Sequence, residues 1–174
     1  MHIQNSPLEV AVLRIPQMPL QHPKISERTF VHCLNALFVN TKILTGNVIS
    51  LHLCMASRTN GQDYIPALLS SFQLELVGHT VEIERELAAR HTTPAAFYEW
   101  SAYSDLRRIP DIKNVKAGLV QLRDATDGLS MLYESILSIA VEQQDQWQTF
   151  YLLANQLVSF HAYFIMLDYA SESI

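Results

Sequence analysis

Four long stretches of this chain repeat apolar side chains at intervals of three and four residues, with very few helix-breaking residues inside them. This spacing places the apolar groups on one face of a helix, and that face must be buried against other helices. The sequence therefore predicts an all-α fold, a four-helix bundle. The predicted helices are Ser26 to Ala56, Tyr64 to Arg90, Asn114 to Gln143 and Asp145 to Tyr169.

The predicted core faces follow from this spacing. In the second helix the core positions are Ile65, Leu69, Phe72, Leu76, Ile83 and Leu87. In the fourth helix the predicted seam is Trp147, Phe150, Ala154, Leu157, His161, Phe164 and Asp168.

The connections set the topology. Only Glu142 to Asp145 separates the third helix from the fourth, and so short a link makes the two helices antiparallel neighbours. Between the second and third helices, Thr93 is a predicted cap, and Pro94 suits the first position of a short helix, Ala95 to Ser101.

Proline usage divides the chain. Four of the seven prolines precede residue 24, so residues 1–24 are predicted to form an extended N-terminal arm. Residues 25–170 form the predicted bundle, and residues 171–174 a short C-terminal tail.

Composition limits the function classes. With 49% apolar residues, 17% charged residues and a net charge of −5, the chain is neither disordered nor a basic nucleic-acid binder. Two cysteines do not make a disulfide scaffold. We find no export signal, and the most apolar stretch, Leu152 to Leu167, is too short and too polar to span a membrane. We therefore expect a cytoplasmic protein with no membrane association.

Sequence motifs for chemistry are mostly absent. We find no dinucleotide or phosphate loop, no zinc-protease motif and no nucleophile elbow, and we assign no catalytic or cofactor-binding residue. No glutamate is followed by histidine three positions later, so the usual carboxylate diiron site of helical bundles is not expected.

One segment resembles a known family. Glu82 to Pro94, followed by Tyr98-Glu99-Trp100, resembles the end of the second helix and the short helix of the Dps family, ferritin-like proteins of starved or oxidatively stressed bacteria. Ala140 to Asp145 and Phe164 to Leu167 also resemble that family around its last helix. The resemblance covers roughly residues 25–170 and implies a ferritin-like four-helix bundle with a short helix between helices two and three.

The same resemblance locates the family's ferroxidase site, which lies between two subunits. One subunit supplies two histidines from helix one, and the other supplies Asp and Glu from helix two. These positions fall at His52, near Met55, on Val81 and on Arg85. Three of the four usual ligands are therefore absent, and the resemblance implies a degenerate or atypical site with weak ferroxidase activity at most.

Two other ligand sets remain open. A register shifted by one residue places Glu82 and Glu86 at the carboxylate positions. The face shared by Glu75, His79, Glu82 and Glu86 supplies an alternative set. The alternative to both sets is that Glu75, Glu82 and Glu86 form a solvated stripe with His79 at its edge, and that His52 is a hydrogen-bonded core or interface residue. If a metal is bound, we expect iron at His52, His79 and Glu82.

The resemblance implies a divergent Dps-like shell protein, related to iron storage and oxidative-stress protection, that self-associates through dimers into a dodecameric shell. The alternative is a non-enzymatic structural or interaction module that kept the bundle and lost the metal site. A third hypothesis is an unrelated metal-dependent bundle enzyme. DNA binding is expected to be weak or absent, because residues 1–30 carry a net charge of only +1 and the C-terminus is acidic.

Overall fold

The computed structural model describes residues 26–56, 64–104, 106, 114–141 and 147–174. These residues form four long helices and one short 3-10 helix, with no strand among them, which confirms the all-α prediction and the short helix in the second connection. The elements are α1 (Glu27–Ala56), α2 (Tyr64–Ala89), the 3-10 helix (Phe97–Ala102), α3 (Val115–Val141) and α4 (Trp147–Glu172). The predicted arm and the links at 57–63 and 142–146 lie outside the described residues.

Polar side chains start two of the helices. The Ser26 hydroxyl accepts a hydrogen bond from the Thr29 amide at 3.2 Å. The Asn114 side chain accepts one from the Lys116 amide at 2.9 Å. Each bond satisfies an amide that has no partner inside its own helix, so each residue fixes where its helix begins.

The bundle consists of two helix pairs, α1 with α2 and α3 with α4, packed so that α1 contacts α3 and α2 contacts α4. One continuous core fills the space between them, with Phe72, Tyr133 and Phe160 among its largest buried side chains. All six core positions predicted for α2 are buried. The strict spacing of its aliphatic residues explains this success, because only one face of α2 is continuously apolar.

The end of α2 differs from the prediction. The Thr92 amide donates to the Leu87 carbonyl, and His91, with a φ of 54°, turns the chain out of the helix. The next residues are extended, and the short helix begins at Phe97 rather than at Ala95, with the Glu99 carboxylate accepting the Ala96 amide at 2.8 Å. Thr93 and Pro94 therefore do not cap it.

Two asparagines of α1 hold this connection in place. Asn35 accepts the Ala95 amide at 2.8 Å. Asn40 donates to the Tyr103 carbonyl at 3.1 Å and accepts the Leu106 amide at 3.0 Å. These long-range bonds satisfy backbone groups in a segment that has no regular backbone hydrogen bonds. They therefore stabilise the extended conformation of this segment.

The predicted seam of α4 is wrong. Trp147 and His161 are exposed, and the other predicted seam residues are only partly buried. The buried face consists instead of Thr149, Leu153, Gln156, Phe160, Tyr163, Leu167, Ala170 and Ser171. The helix is apolar on two sides, so periodicity does not distinguish its core face.

Helix α4 has two further features. By length and composition it is the one described helix that could cross a membrane, but its face at Leu153, Phe160 and Leu167 packs inside the bundle. It also continues to Glu172, beyond the predicted bundle end at residue 170, and Ser171 is buried.

Candidate functional site

A polar groove lies between α2 and α4. Glu75, His79 and Glu82 follow one another on the face of α2 that turns towards Gln156 and Ser159 of α4. The groove encloses a cavity of about 270 Å³. Its lining residues are Leu74, Glu75, Gly78, His79, Glu82, Asn155 and Gln156.

His79 is the most deeply buried titratable group of this groove, with 6% of its surface exposed. Its Nε2 lies 3.3 Å from the Glu75 carboxylate, and its ring meets Phe160 edge-on at 5.1 Å. Burial lowers the pKa of His79, and the nearby charges of Glu75 and Glu82 oppose that shift. The imidazole is therefore neutral at pH 7, the form that ligates metal ions.

One nitrogen of His79 is unsatisfied. Its Nδ1 is buried and has no hydrogen-bond partner among the described residues. Burying a polar atom without a hydrogen-bond partner destabilises the folded state. The presence of such an atom in a folded protein therefore calls for an explanation. The neighbouring cavity is large enough for water molecules or a hydrated ion.

Glu82 is oriented by a chain of hydrogen bonds across three helices. Tyr133 of α3 donates to the Gln156 side-chain oxygen at 2.6 Å, and Gln156 donates to the Glu82 carboxylate at 2.6 Å. Burial raises the pKa of Tyr133, so its phenol remains a donor. The sequence analysis did not predict these hydrogen bonds, although a glutamine in the apolar fourth helix was a signal for them.

Glu86 belongs to a separate polar cluster. Its carboxylate accepts hydrogen bonds from Arg90 at 2.8 Å and from Thr149 at 2.5 Å. Arg90 also lies 3.2 Å from the Glu27 carboxylate, which joins the ends of three helices. Glu86 is therefore engaged in an ion pair and does not face the cavity beside His79.

The structure does not bring His52 to His79 within one chain. Helices α1 and α2 run antiparallel, because Glu27 contacts Arg90 and Lys42 contacts Glu84. This pairing places residue 52 beside about residues 65–74 of α2, on the order of 8–21 Å along the axis from His79. His52 itself is half-buried near the end of α1.

The positions predicted to correspond to the family's carboxylate ligands face outward. Val81 and Arg85 are both exposed on α2, on the side away from the core residue Ile83. Among the described residues, no group of three or more His, Cys, Asp or Glu side chains is arranged to hold a metal ion. His79, Glu82 and His52 thus remain predicted ligands, and only the first two share a groove.

No protein-family model and no curated protein matches this chain. Its structure is similar to the Dps protein from Vibrio cholerae O1, a member of the ferritin-like diiron-carboxylate proteins (17% identity, TM-score 0.71, 81% of this chain and 87% of that one). It is also similar to the dodecameric thioferritin from Bacteroides fragilis (13% identity, TM-score 0.76, 86% and 88%). A third similar structure is the archaeal Dps homologue from Halobacterium salinarum (13% identity, TM-score 0.72, 92% and 94%). At these identities the shared property is the fold, and the resemblance to ferritin-like Dps proteins is confirmed at that level.

Proposed function

We propose that this chain is a divergent, self-assembling Dps-like protein whose cargo is iron and whose ferroxidase site is degenerate. The observation that carries the proposal is the extent of the fold match. The similarity spans 81–92% of this chain and 87–97% of the Dps and thioferritin chains, so the whole bundle corresponds and not a fragment of it. We also propose a cytoplasmic location.

The proposed assembly is a dodecameric shell built from dimers. The Bacteroides fragilis protein is described as dodecameric, and this chain has exposed apolar side chains on α1, on α2 and on the 3-10 helix. Exposed apolar groups that form a contiguous patch mark an interaction surface. The exposed side chains are Leu53, Leu74, Val77, Val81, Phe97 and Tyr98.

The iron chemistry is proposed to be weak. His79 and Glu82 supply a neutral imidazole and a carboxylate, donors that suit iron, but Glu82 already accepts a hydrogen bond from Gln156. The exposed cation of Arg85 disfavours Fe(II) at the position of a usual ligand. The donor set does not fit a complete diiron site, so we derive no oxidation step and propose containment of iron with slow mineralisation.

Two measurements test this proposal. Light scattering gives the particle mass, which is expected to be twelve times the 19.8 kDa of one chain. Anomalous scattering at the iron edge, recorded on Fe(II)-soaked crystals, shows whether iron lies at His79 and Glu82. We expect His79→Ala to remove that signal, and His161→Ala, at an exposed histidine of α4, to leave it unchanged. His52→Ala tests whether a second subunit contributes that histidine.

A gain of activity tests whether the family's two carboxylate positions correspond to Val81 and Arg85. Val81→Asp with Arg85→Glu restores two carboxylates four residues apart, which share one helix face. The double variant is expected to oxidise Fe(II) faster than the wild type, and His52→Ala is expected to abolish the gain. Val77→Asp with Val81→Asp, which moves the carboxylate pair four residues towards the start of α2 and keeps Arg85, is the control and should give no acceleration.

The alternative function is a non-enzymatic interaction module that kept the bundle. It is favoured by the engagement of both Glu82 and Glu86 in hydrogen bonds inside the chain. A particle of one or two chains that takes up no iron would support this alternative and reject the iron-storage proposal. A shell of twelve that takes up iron would do the opposite.

A further inference from the structure

Three hydrogen-bond acceptors follow one another along the groove between α2 and α4. Glu75, His79 and Glu82 line it together, because steps of four and three residues return to the same side of a helix. The Nε2 atom of His79 lies 3.3 Å from the Glu75 carboxylate, so Nε2 carries the proton of the neutral ring. The Nδ1 atom is left as an acceptor, and it is buried with no hydrogen-bond partner among the described residues. The groove therefore lacks a donor.

The groove is also negatively charged. The carboxylates of Glu75 and Glu82 line it, and no lysine or arginine among the described residues does so. Ser159 donates to Glu75 at 2.8 Å and Gln156 donates to Glu82 at 2.6 Å, so both carboxylates have neutral partners from α4. A cleft lined by charges of one sign raises the local concentration of ions of the other sign. The missing donor is therefore expected to be a cation.

The two carboxylates are too far apart to share one metal ion. Glu75 and Glu82 are separated by about 10 Å along α2, and their partners Ser159 and Gln156 by about 4.5 Å along α4. The carboxylates therefore lie about 5–10 Å apart, whereas an ion such as Ca²⁺ holds each oxygen at about 2.3–2.6 Å. In the described part of the chain, no three His, Cys, Asp or Glu side chains are arranged to hold a metal ion. A cation that reaches both carboxylates must be elongated.

We propose that the groove binds a linear aliphatic polyamine, with one ammonium group at Glu75, another at Glu82 and the methylene chain between them. A primary alkylamine has a pKa of about 10, like lysine, so both ends are charged at pH 7 and donate to the carboxylates. The methylenes lie along Leu74 and Gly78, which line the same cavity. A Cβ placed on Gly78 would meet no atom within 4 Å, so this side of the groove is open to the chain of methylenes.

The size of the cavity suits such a ligand. Its volume is about 270 Å³, whereas a single water molecule needs only about 10–15 Å³. The cavity therefore accommodates a short carbon chain. A triamine also places a secondary amine at the level of His79, where it supplies the donor that Nδ1 lacks. A triamine is therefore expected to bind more tightly than a diamine.

Calorimetric titration of the full chain, free of iron, tests the proposal. The probes are putrescine, a four-carbon diamine, spermidine, a triamine, and butylamine, which has the same carbon chain as putrescine and a single amine. We expect putrescine and spermidine to bind, and butylamine to bind about ten-fold more weakly, because it lacks one charge-assisted hydrogen bond. Failure of putrescine to bind, or equal affinity for butylamine, would overturn the proposal.

Loss of either carboxylate should remove the advantage of the second amine. Glu75→Gln and Glu82→Gln are each expected to weaken putrescine binding about ten-fold and to bring it close to that of butylamine. The control is Glu84→Gln, which removes the same charge from α2 at a residue that faces Lys42 at 3.9 Å. It should leave putrescine binding unchanged; an equal loss in Glu84→Gln would mean that only the overall charge attracts the amine.

A variant that fills the groove tests the place of binding without altering an acceptor. Gly78→Leu adds a side chain where the structure has open space, and it is expected to abolish putrescine binding. Gly46→Leu on α1, where a Cβ would also meet no atom within 4 Å, is the matched control and should bind as the wild type does. Circular dichroism shows that both variants fold. Unchanged binding in Gly78→Leu would place the amine elsewhere and reject the groove.

This proposal does not rest on iron storage, and the two can fail separately. Iron at His79 and Glu82 would use one end of the groove, whereas the polyamine uses its whole length. Iron bound there by a protein that binds no putrescine would reject the polyamine and leave the proposed function standing. Putrescine binding by a protein that takes up no iron would do the opposite.

Discussion

His91 has a backbone conformation that side chains with a Cβ rarely adopt, with a φ of 54°. It stands where the chain leaves α2, and the Thr92 amide donates to the Leu87 carbonyl across it. Helices that end in this way usually have glycine at that position, because glycine adopts the left-handed conformation without steric conflict.

Replacing this residue should stabilise the fold. His91→Gly removes a left-handed strain of about 1–2 kcal/mol, partly offset by the greater freedom of glycine in the unfolded chain. We expect a net gain of about 0.5–1 kcal/mol in the free energy of unfolding, measured by urea titration. His91→Ala keeps the Cβ and should give no gain; an equal gain in both variants would show that the imidazole, and not the backbone, causes the strain.

His79 should make stability depend on pH. Because burial lowers its pKa in the folded state, the unfolded chain binds a proton more readily than the folded chain does. Above a pH of about 6.5 both states are neutral at this residue, so its contribution is constant there. As the pH falls below that value, the free energy of unfolding should decrease.

Urea titrations between about pH 7.5 and pH 5 measure this effect. His79→Gln should give a flatter dependence than the wild type, and the exposed control His161→Gln should not. A dependence that is equally steep in His79→Gln would show that other groups cause it.

At the level of elements, α2 and α4 show what the sequence can and cannot reveal. The core face of α2 was predicted because the regular apolar spacing from Ile65 to Leu87 lies along one side of the helix. In α4 the predicted seam followed the aromatic residues Trp147, Phe150 and Phe164, which do not lie on the buried face. The polar Thr149 and Gln156 are buried because Glu86, Tyr133 and Glu82 satisfy them. These partners lie on other helices, so the spacing of residues along α4 does not indicate them.

The predicted ligands follow the same distinction. His79 and Glu82 share a groove because three residues along a helix return to the same side. His52 lies on another helix, and its position depends on how α1 is aligned against α2, which the contacts of Glu27 and Lys42 reveal. For these ligands, the sequence therefore predicted which residues share one helix face better than it predicted distances between helices.

The hydrogen bonds that link α3, α4 and α2 should contribute to the free energy of unfolding. Gln156→Leu leaves the buried Tyr133 hydroxyl without its acceptor, and we expect a loss of about 1–3 kcal/mol. Adding Tyr133→Phe removes that stranded group. The double variant should therefore be less destabilised than the sum of the two single variants. Additive losses in urea titrations would mean that the two side chains do not act together.

At the scale of the whole molecule, the exposed apolar side chains and the few cations favour different kinds of partner. Apolar groups are exposed on the outer sides of α2 and α4, and cations are few, with 12 Lys and Arg against 17 Asp and Glu. Burial of apolar surface drives association between proteins. Association with DNA depends instead on cations that displace counterions from phosphates. The balance of this chain therefore favours self-association over DNA binding.

This contrast leads to a prediction about DNA. At about 150 mM salt we expect no gel shift with double-stranded DNA, because non-specific binding weakens steeply with salt and needs several clustered cations. A variant with six lysines added before Met1 is the control, and it should shift the same DNA through its new cationic tail. A strong shift by the unmodified protein would contradict this reasoning. It would show that assembly concentrates the few cations of each chain on one surface of the particle.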